Sequence, residues 1–240
     1  YPNINIKKKR VKMAYKENSL FMIITEDGEI YRAKKVLLAT GIKEDLPKID
    51  KINEFYGISI FSCPFCDGWE LQDRPLAIIV ENNGKIDGSH ILHFVKMIYN
   101  WSEDLIVCTN GHQILSLEQK RLLKNKGIKT YEQKIASLIG KNGHLERIQF
   151  DDGTNIPCEG GFIGPEWKQS SSIGEELGCE LNEHGAIKTD NFGRTNVDGI
   201  FACGDISLNG PSLSVIAAAA GSKAAIGVIS ELMDGKFSQN

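Results

Sequence analysis

The sequence lacks a long apolar run, a dense cysteine framework and a strong net charge. From the sequence we expect no apolar stretch close to the roughly 18 residues that are needed to cross a bilayer. The chain begins at Tyr1 without an apolar signal segment. Its six cysteines are scattered along 240 residues rather than packed into a small secreted scaffold. A formal net charge of −3 gives no basic face for phosphate neutralisation. We therefore expect a cytoplasmic protein that binds neither membranes nor nucleic acids.

Apolar periodicity predicts an α/β protein with β-meander insertions. Residues 4–35 alternate as in a meander, and residues 34–39 then read as a buried strand. From residue 76 a strand, a loop, a helix and another strand form a βαβ unit of the nucleotide-binding kind, and residues 135–156 predict a small antiparallel sheet. The alanine-rich helix near the C terminus is expected to pack tightly.

The strongest chemical signal is the segment Cys63-Pro-Phe-Cys66-Asp67-Gly68. Two thiols at this spacing can close a small disulfide, and the motif lowers the thiol pKa so that thiolate exists near neutral pH. Asp67 is placed to exchange protons with the leaving thiol. The alternative is half of a zinc site, which needs a second ligand pair. The spacing favours redox chemistry because the other cysteines are isolated.

Two further segments are weak signals on their own. Residues 36–41 end a strand at Ala39-Thr40-Gly41, and residues 199–205 end another at Gly204-Asp205, ahead of the alanine-rich helix. A carboxylate after a strand can bind a hydroxyl of a cofactor. A Gly-Asp turn that caps a helix is the commoner explanation of the second segment.

In this order, the three segments resemble the low-molecular-weight thioredoxin reductase family over nearly the whole chain. The resemblance implies two Rossmann-like, three-layer nucleotide-binding domains, with the FAD domain incomplete. Residues 1–46 would end the first FAD-domain segment, residues 47–161 would form a pyridine-nucleotide-type domain carrying the Cys-x-x-Cys motif, and residues 162–240 would form the second FAD-domain segment. It also implies FAD, a disulfide substrate (a thioredoxin-like protein or a small dithiol) and a homodimer. The segment from Cys63 to Glu70 is most similar to a branch that includes dithiol oxidases of natural-product pathways.

The resemblance also assigns roles to single residues. Cys66 would face the flavin, Cys63 would meet the substrate, and Asp67 would be the catalytic acid and base. The residues expected to lie against FAD are Ala39, Thr40, Gly41, Gly204, Asp205, Ser212, Leu213 and Ser214. NAD(P)H is expected at most weakly, through Gly84 and Gly88, and no metal site is expected.

Three departures from the family pattern qualify these expectations. No Gly-x-Gly-x-x-Gly motif precedes Tyr1, so we expect the chain as given to hold FAD poorly. Where the second such motif is expected, the chain reads Glu81-Asn-Asn-Gly-Lys-Ile-Asp87, and its charge favours an ordinary loop over a dinucleotide site. Residues 108–112 carry neither the arginines of NADPH users nor the acidic residue of NAD users, and residues 212–214 replace the family's usual Arg-Gln.

The leading interpretation is a FAD-dependent dithiol/disulfide oxidoreductase. A second interpretation is a relative that does not use NADPH, and that takes electrons from another donor or passes them to oxygen. A third is a truncated or degenerate chain that serves as a binding module without catalysis. The complete Cys-x-x-Cys-Asp-Gly motif argues against the third.

Overall fold

The chain folds as two compact units, one inserted into the other. Unit 1 comprises residues 1–44 and 167–240, and unit 2 comprises residues 45–166. Unit 2 is therefore a continuous segment, whereas unit 1 is assembled from two separate ones. The residues described by the computed structural model are 4–81, 84, 86–208 and 210–237.

The first part of unit 1 is an antiparallel meander followed by two short strands. The three meander strands pair in sequence order, which confirms the prediction for this region. The strand expected over residues 34–39 is shorter than predicted, and only its Leu38 is buried. The strands are β1 (Val11–Glu17), β2 (Leu20–Thr25), β3 (Ile30–Ala33), β4 (Val36–Leu38) and β5 (Ile42–Asp45), of which the last reaches the start of unit 2.

Unit 2 alternates strands and helices, continues into a three-stranded antiparallel sheet and ends with one more strand of its parallel sheet. Its elements are α1 (Ile52–Phe55), β6 (Ile60–Phe61), α2 (Pro64–Asp67), β7 (Leu76–Ile79), α3 (Gly88–Tyr99), β8 (Leu105–Cys108), α4 (Leu117–Asn125), β9 (Lys129–Tyr131), β10 (Ile135–Lys141), β11 (His144–Phe150), β12 (Asn155–Pro157) and β13 (Gly160–Ile163). The two longer helices both begin with a capping box, in which the side chain of Asp87 caps α3 and that of Ser116 caps α4.

A parallel five-stranded sheet forms the middle layer of unit 2, with strand order β6-β13-β7-β8-β9. Side chains alternate between the two faces of a strand. Leu76 and Ile78 of β7 pack in one apolar cluster with residues of α3 and α4, while Ala77 and Ile79 pack in another with residues of β10 and β11. Helices, parallel sheet and antiparallel sheet therefore form three layers, as the α/β prediction requires.

Strand β13 is the last strand along the chain that belongs to the parallel sheet of unit 2. It pairs in parallel with both β6 and β7, so it belongs to the same sheet as the βαβ unit. The boundary expected from the sequence, between residues 161 and 162, falls inside this strand. In the structure, unit 2 ends at residue 166 and the second segment of unit 1 begins at residue 167.

The remaining elements complete unit 1. Strand β15 pairs in parallel with β4, and β14 pairs with β5. Leu38, Ile200 and Ile206 lie in the buried core of this unit. The elements are β14 (Glu166–Gln169), α5 (Ile173–Glu176), β15 (Ile200–Ala202), a 3-10 turn (Gly204–Ser207) and α6 (Ser214–Phe237).

Helix α6 differs from two expectations drawn from the sequence. The expectation that the alanine run packs tightly was wrong, because only Ala224 and Gly227 of this helix are buried in the structure as described. The expectation that no segment is long enough to cross a bilayer was also wrong, since Ser214–Phe237 is long and apolar enough by length and composition. One such helix is weak evidence for a membrane span, because a helix in the core of a soluble protein meets the same criterion.

Candidate functional site

The Cys63–Cys66 pair forms a disulfide at the short helix α2. Cys63 is extended and caps the helix, and buried Pro64 occupies the first helical position, where proline lacks only an N–H that the helix would leave unpaired. The carbonyl of Cys63 accepts hydrogen bonds from the N–H groups of Cys66 and Asp67, both at 3.1 Å. This turn brings the two Cα atoms to 5.3 Å, within the range that a disulfide needs.

The Cys63–Cys66 disulfide lies at the surface of unit 2. Cys66 is exposed and Cys63 is half-buried. Phe65 between them is 70% exposed, and Trp69 is 66% exposed. Thiol–disulfide exchange needs an accessible sulfur, and this exposure supplies it. The two aromatic rings also provide apolar surface beside the pair.

Asp67 is the titratable group next to Cys66. Its burial raises the pKa of the carboxyl, and the nearby negative charge of Glu70 raises it further. The group therefore keeps its proton to a higher pH than an ordinary aspartic acid. A protonated carboxyl beside the second cysteine can donate that proton to a departing thiolate.

Gly68 is required by packing. A Cβ atom at this position would overlap with the indole nitrogen of Trp101 and with the carbonyl of Pro64. The glycine of the Cys-x-x-Cys-Asp-Gly motif thus lets α2 sit against Trp101. Sequence reasoning missed Trp101, because it lies 33 residues after Gly68 in the chain and only the fold brings the two residues together.

The four cysteines outside the pair are Cys108, Cys158, Cys179 and Cys203, and all four are buried free thiols. Burial raises the pKa of each, in the case of Cys158 to about 12. A buried thiol with a raised pKa is a poor nucleophile at neutral pH. These cysteines are therefore packing residues, as the sequence predicts.

The residues expected to lie against FAD come together at one edge of unit 1. Ala39, Thr40 and Gly41 follow β4, while Gly204 and Asp205 follow β15. The two strands are parallel neighbours, and the N–H of Cys203 donates to the carbonyl of Leu38 at 3.0 Å. Their carboxyl ends therefore meet, which is the edge where α/β sheets bind ligands.

Asp205 shows whether the residues at this edge fit a flavin cofactor. Its Oδ1 atom is buried and has no hydrogen-bond partner among the residues that the structure describes. A buried carboxylate oxygen without a donor is destabilising, so a ligand hydroxyl that donates to it would satisfy it. Gly41 and Gly204 have φ angles of +68° and +75°, a conformation that favours glycine, and no atom lies within 4 Å of a Cβ built at Gly41. These residues fit a cofactor that carries hydroxyl groups, as FAD does.

The remaining FAD candidates precede or begin α6. Ser212 and Ser214 are exposed, and Leu213 between them is half-buried. Helix α6 packs on the 3-10 turn that contains Asp205, and a Cβ at Gly204 would lie 3.9 Å from that of Ala217. The start of α6 thus lies near the edge formed by β4 and β15.

The two glycines considered for NAD(P)H have separate structural roles in unit 2. Gly84 has a φ angle of +84°, which suits a turn. Gly88 begins α3, and a Cβ there would overlap with the side chain of Gln119. The sequence analysis considered residues 108–112 but missed that Asn110 and His112 contact Glu81, because they come from the end of a different strand. Both residues are polar and follow the fully buried strand β8.

Comparison with known proteins agrees with this fold. Residues 95–221 match the model of the pyridine nucleotide-disulphide oxidoreductase family, and this chain belongs to that family of oxidoreductases. It is 26% identical over 212 residues to thioredoxin reductase aclD of Aspergillus oryzae, which covers 85% of this chain and 66% of that protein. It is 25% identical over 228 residues to a thioredoxin reductase of Helicobacter pylori, which covers 90% of this chain and 72% of that protein.

A solved structure extends the similarity to the fold. The crystal structure of TrxB from Bacillus anthracis, a candidate thioredoxin reductase, matches with a TM-score of 0.92 and 43% sequence identity. The match covers 98% of this chain and 77% of that one. The chain thus spans roughly two thirds to three quarters of the length of these relatives.

Proposed function

We propose that this chain acts as a FAD-dependent dithiol/disulfide oxidoreductase, with Cys63 and Cys66 as the redox pair. The observation that carries the proposal is the disulfide at the exposed helix α2, next to a carboxyl whose pKa is raised. The relatives named thioredoxin reductase support a thioredoxin-like protein as the substrate. A small dithiol is the alternative substrate. We also propose that the protein is a cytoplasmic homodimer.

In the reducing direction, the thiolate of Cys63 attacks one sulfur of the substrate disulfide. A mixed disulfide forms, and the first substrate thiolate leaves. The thiolate of Cys66 then attacks the Cys63 sulfur, which releases the second substrate thiolate and closes the Cys63–Cys66 disulfide. The substrate gains two electrons and the pair loses two. Asp67 donates its proton to a leaving thiolate and regains one from solvent.

FAD, when bound, supplies the two electrons that return the pair to the dithiol form. The residues that would hold it are those at the edge of β4 and β15, together with the residues that begin α6. The Asp205 carboxylate would accept a hydrogen bond from a cofactor hydroxyl. Gly41 and Gly204 would leave room for the cofactor, because neither carries a side chain.

The proposal is tested with the chain reduced by dithiothreitol, freed of reductant and mixed with an aromatic disulfide such as dithionitrobenzoate. The wild-type chain should release about two thionitrobenzoate ions per chain and keep no adduct, because the second thiol resolves the first mixed disulfide. Cys63→Ser and Cys66→Ser should each release about one and retain the adduct by mass spectrometry, and neither should turn over a disulfide substrate. Cys63→Ser should leave any flavin reduction intact.

The matched control is Cys158→Ser, which removes a buried thiol whose pKa burial raises to about 12. This variant should behave like the wild type. A stable adduct on the wild-type chain, or unchanged substrate turnover in Cys63→Ser, would refute the assigned pair.

A further inference from the structure

The carboxyl edge of the parallel sheet in unit 2 encloses a crevice of about 560 Å³. The chain runs from β7 to β8 and β9 on one side, and β13 lies on the other side of β7. The order reverses between β7 and β13, which is where open α/β sheets bind dinucleotides. Charged residues on its lining are Asp45, Lys48, Glu81, Lys134 and Glu166.

A fixed carboxylate occupies this edge. Glu81 follows β7 and lines the crevice. Its Oε2 accepts a hydrogen bond from Asn110 Nδ2 at 2.6 Å, and its Oε1 lies 2.8 Å from His112 Nε2. Asn110 is itself held, because its Oδ1 accepts from the N–H of Ile135 at 2.8 Å. The negative charge is thus anchored from the end of β8, on the edge of the sheet where open α/β folds bind dinucleotides.

A second carboxylate takes the hydrogen bonds that a phosphate would use. The first N–H groups of a helix are the usual donors to a bound phosphate. At α3 the Oδ1 atom of Asp87 already accepts from the N–H groups of Ser89 at 2.8 Å and His90 at 3.1 Å. It also accepts from the hydroxyl of Ser89 at 2.5 Å and lies 2.8 Å from His90 Nδ1. These hydrogen bonds, with the Ser89 hydroxyl first and the His90 N–H next, hold the pKa of Asp87 well below its usual value, so the group is an anion.

The glycine that opens α3 does not need a phosphate to explain it. Gly88 lies against the side chain of Gln119, which accepts from the N–H of Ser116 in the capping box of α4. A side chain at Gly88 would displace the side chain of Gln119 from the capping box of α4. Packing between α3 and α4 therefore accounts for the glycine.

We infer that this crevice is closed to NADPH and NADH, because Glu81 repels the pyrophosphate and Asp87 occupies the helix N terminus that would bind it. Pyridine nucleotides are used generally in this family, and the residues of this chain do not fit them. The consequence for the electron route, that the reductant is not a nicotinamide dinucleotide, rests on the proposed function. The binding statement does not.

The test is a calorimetric titration of the full chain with NADPH and with NADH. Each should bind the wild type more weakly than about 1 mM. The double variant Glu81→Gln/Asp87→Asn removes both charges and keeps a favourable helix cap, since asparagine is a preferred N-cap residue. It should bind NADPH at least about tenfold more tightly than the wild type.

Controls separate this inference from the dithiol chemistry. Glu146→Gln removes an exposed carboxylate on β11 and should leave the titration unchanged. Cys63→Ser should also leave it unchanged, so an inactive redox pair cannot produce the expected result. Wild-type binding tighter than about 1 mM, or no gain in the double variant, overturns the inference.

Discussion

Exposure to solvent distinguishes the paired cysteines of this protein from the unpaired ones. Cys66 is exposed on a short helix, whereas Cys108 and Cys158 are fully enclosed by the core of unit 2. Burial raises the pKa of both enclosed thiols because it disfavours the thiolate. Burial also raises the pKa of Asp67, but there it favours reactivity, since a carboxyl that keeps its proton can serve as an acid.

Asp205 is the residue at which stability and function should diverge. Its buried Oδ1 has no donor among the described residues, so replacing the carboxylate should not destabilise the chain. We expect Asp205→Asn to change the free energy of unfolding by less than about 1 kcal/mol, or to raise it, while FAD affinity falls at least about tenfold. Urea unfolding and a flavin fluorescence titration measure the two quantities.

The control for this prediction is Asp234→Asn, a change at an exposed position of α6. Neither unfolding nor FAD affinity should change in that variant. Equal FAD affinity in Asp205→Asn and the wild type would remove Asp205 from the cofactor edge.

Strand β13 leaves no room for a side chain at Gly161. A Cβ at Gly161 would overlap with the backbone carbonyl of Ala77 on the paired strand β7, and a backbone atom in a sheet cannot move without loss of hydrogen bonds. We expect Gly161→Ala to lower the free energy of unfolding by about 1–3 kcal/mol or more, measured by urea denaturation. Gly164→Ala, just past the strand, meets no atom within 4 Å and should change it by less than about 0.5 kcal/mol. Equal effects of the two changes would contradict this packing argument.

Element boundaries show what periodicity can predict in this chain. The βαβ unit formed by β7, α3 and β8 was predicted from residue 76 onward, because buried strands and amphipathic helices have clear apolar patterns. Helices α1 and α2 span four residues each, which is too short for a helical period. Strand β13 begins with two glycines, which are weak strand formers, and the predicted boundary fell within it.

The candidate sites were predictable to different degrees. The Cys63–Cys66 pair followed from spacing alone, because a local motif needs no knowledge of the fold. The edge at Thr40 and Asp205 needed the family resemblance, since the parallel pairing of β4 with β15 joins distant parts of the chain. The contacts of Glu81 could not be predicted, because the order of strands in the sheet determines which loops meet.

At the scale of the whole molecule, unit 2 should fold by itself. Its two apolar clusters are built from its own residues, and Asp45 and Glu166 at its ends line the same crevice. We expect a protein of residues 45–166 to unfold cooperatively on heating and to form the Cys63–Cys66 disulfide, as circular dichroism and mass spectrometry would show. A broad, non-cooperative transition would show instead that this unit depends on the rest of the chain.

The insertion of unit 2 also sets an order of events during synthesis. A ribosome synthesises all of residues 45–166 before it makes β15 or α6, whereas β4 must wait for β15 to form its parallel pair. Closing so long a loop is slow compared with folding the local βαβ unit and hairpins of unit 2. The nascent protein would then carry a folded, oxidisable cysteine pair before the proposed cofactor-binding edge exists, so the proposed redox centre would mature before the site of the cofactor that is to serve it.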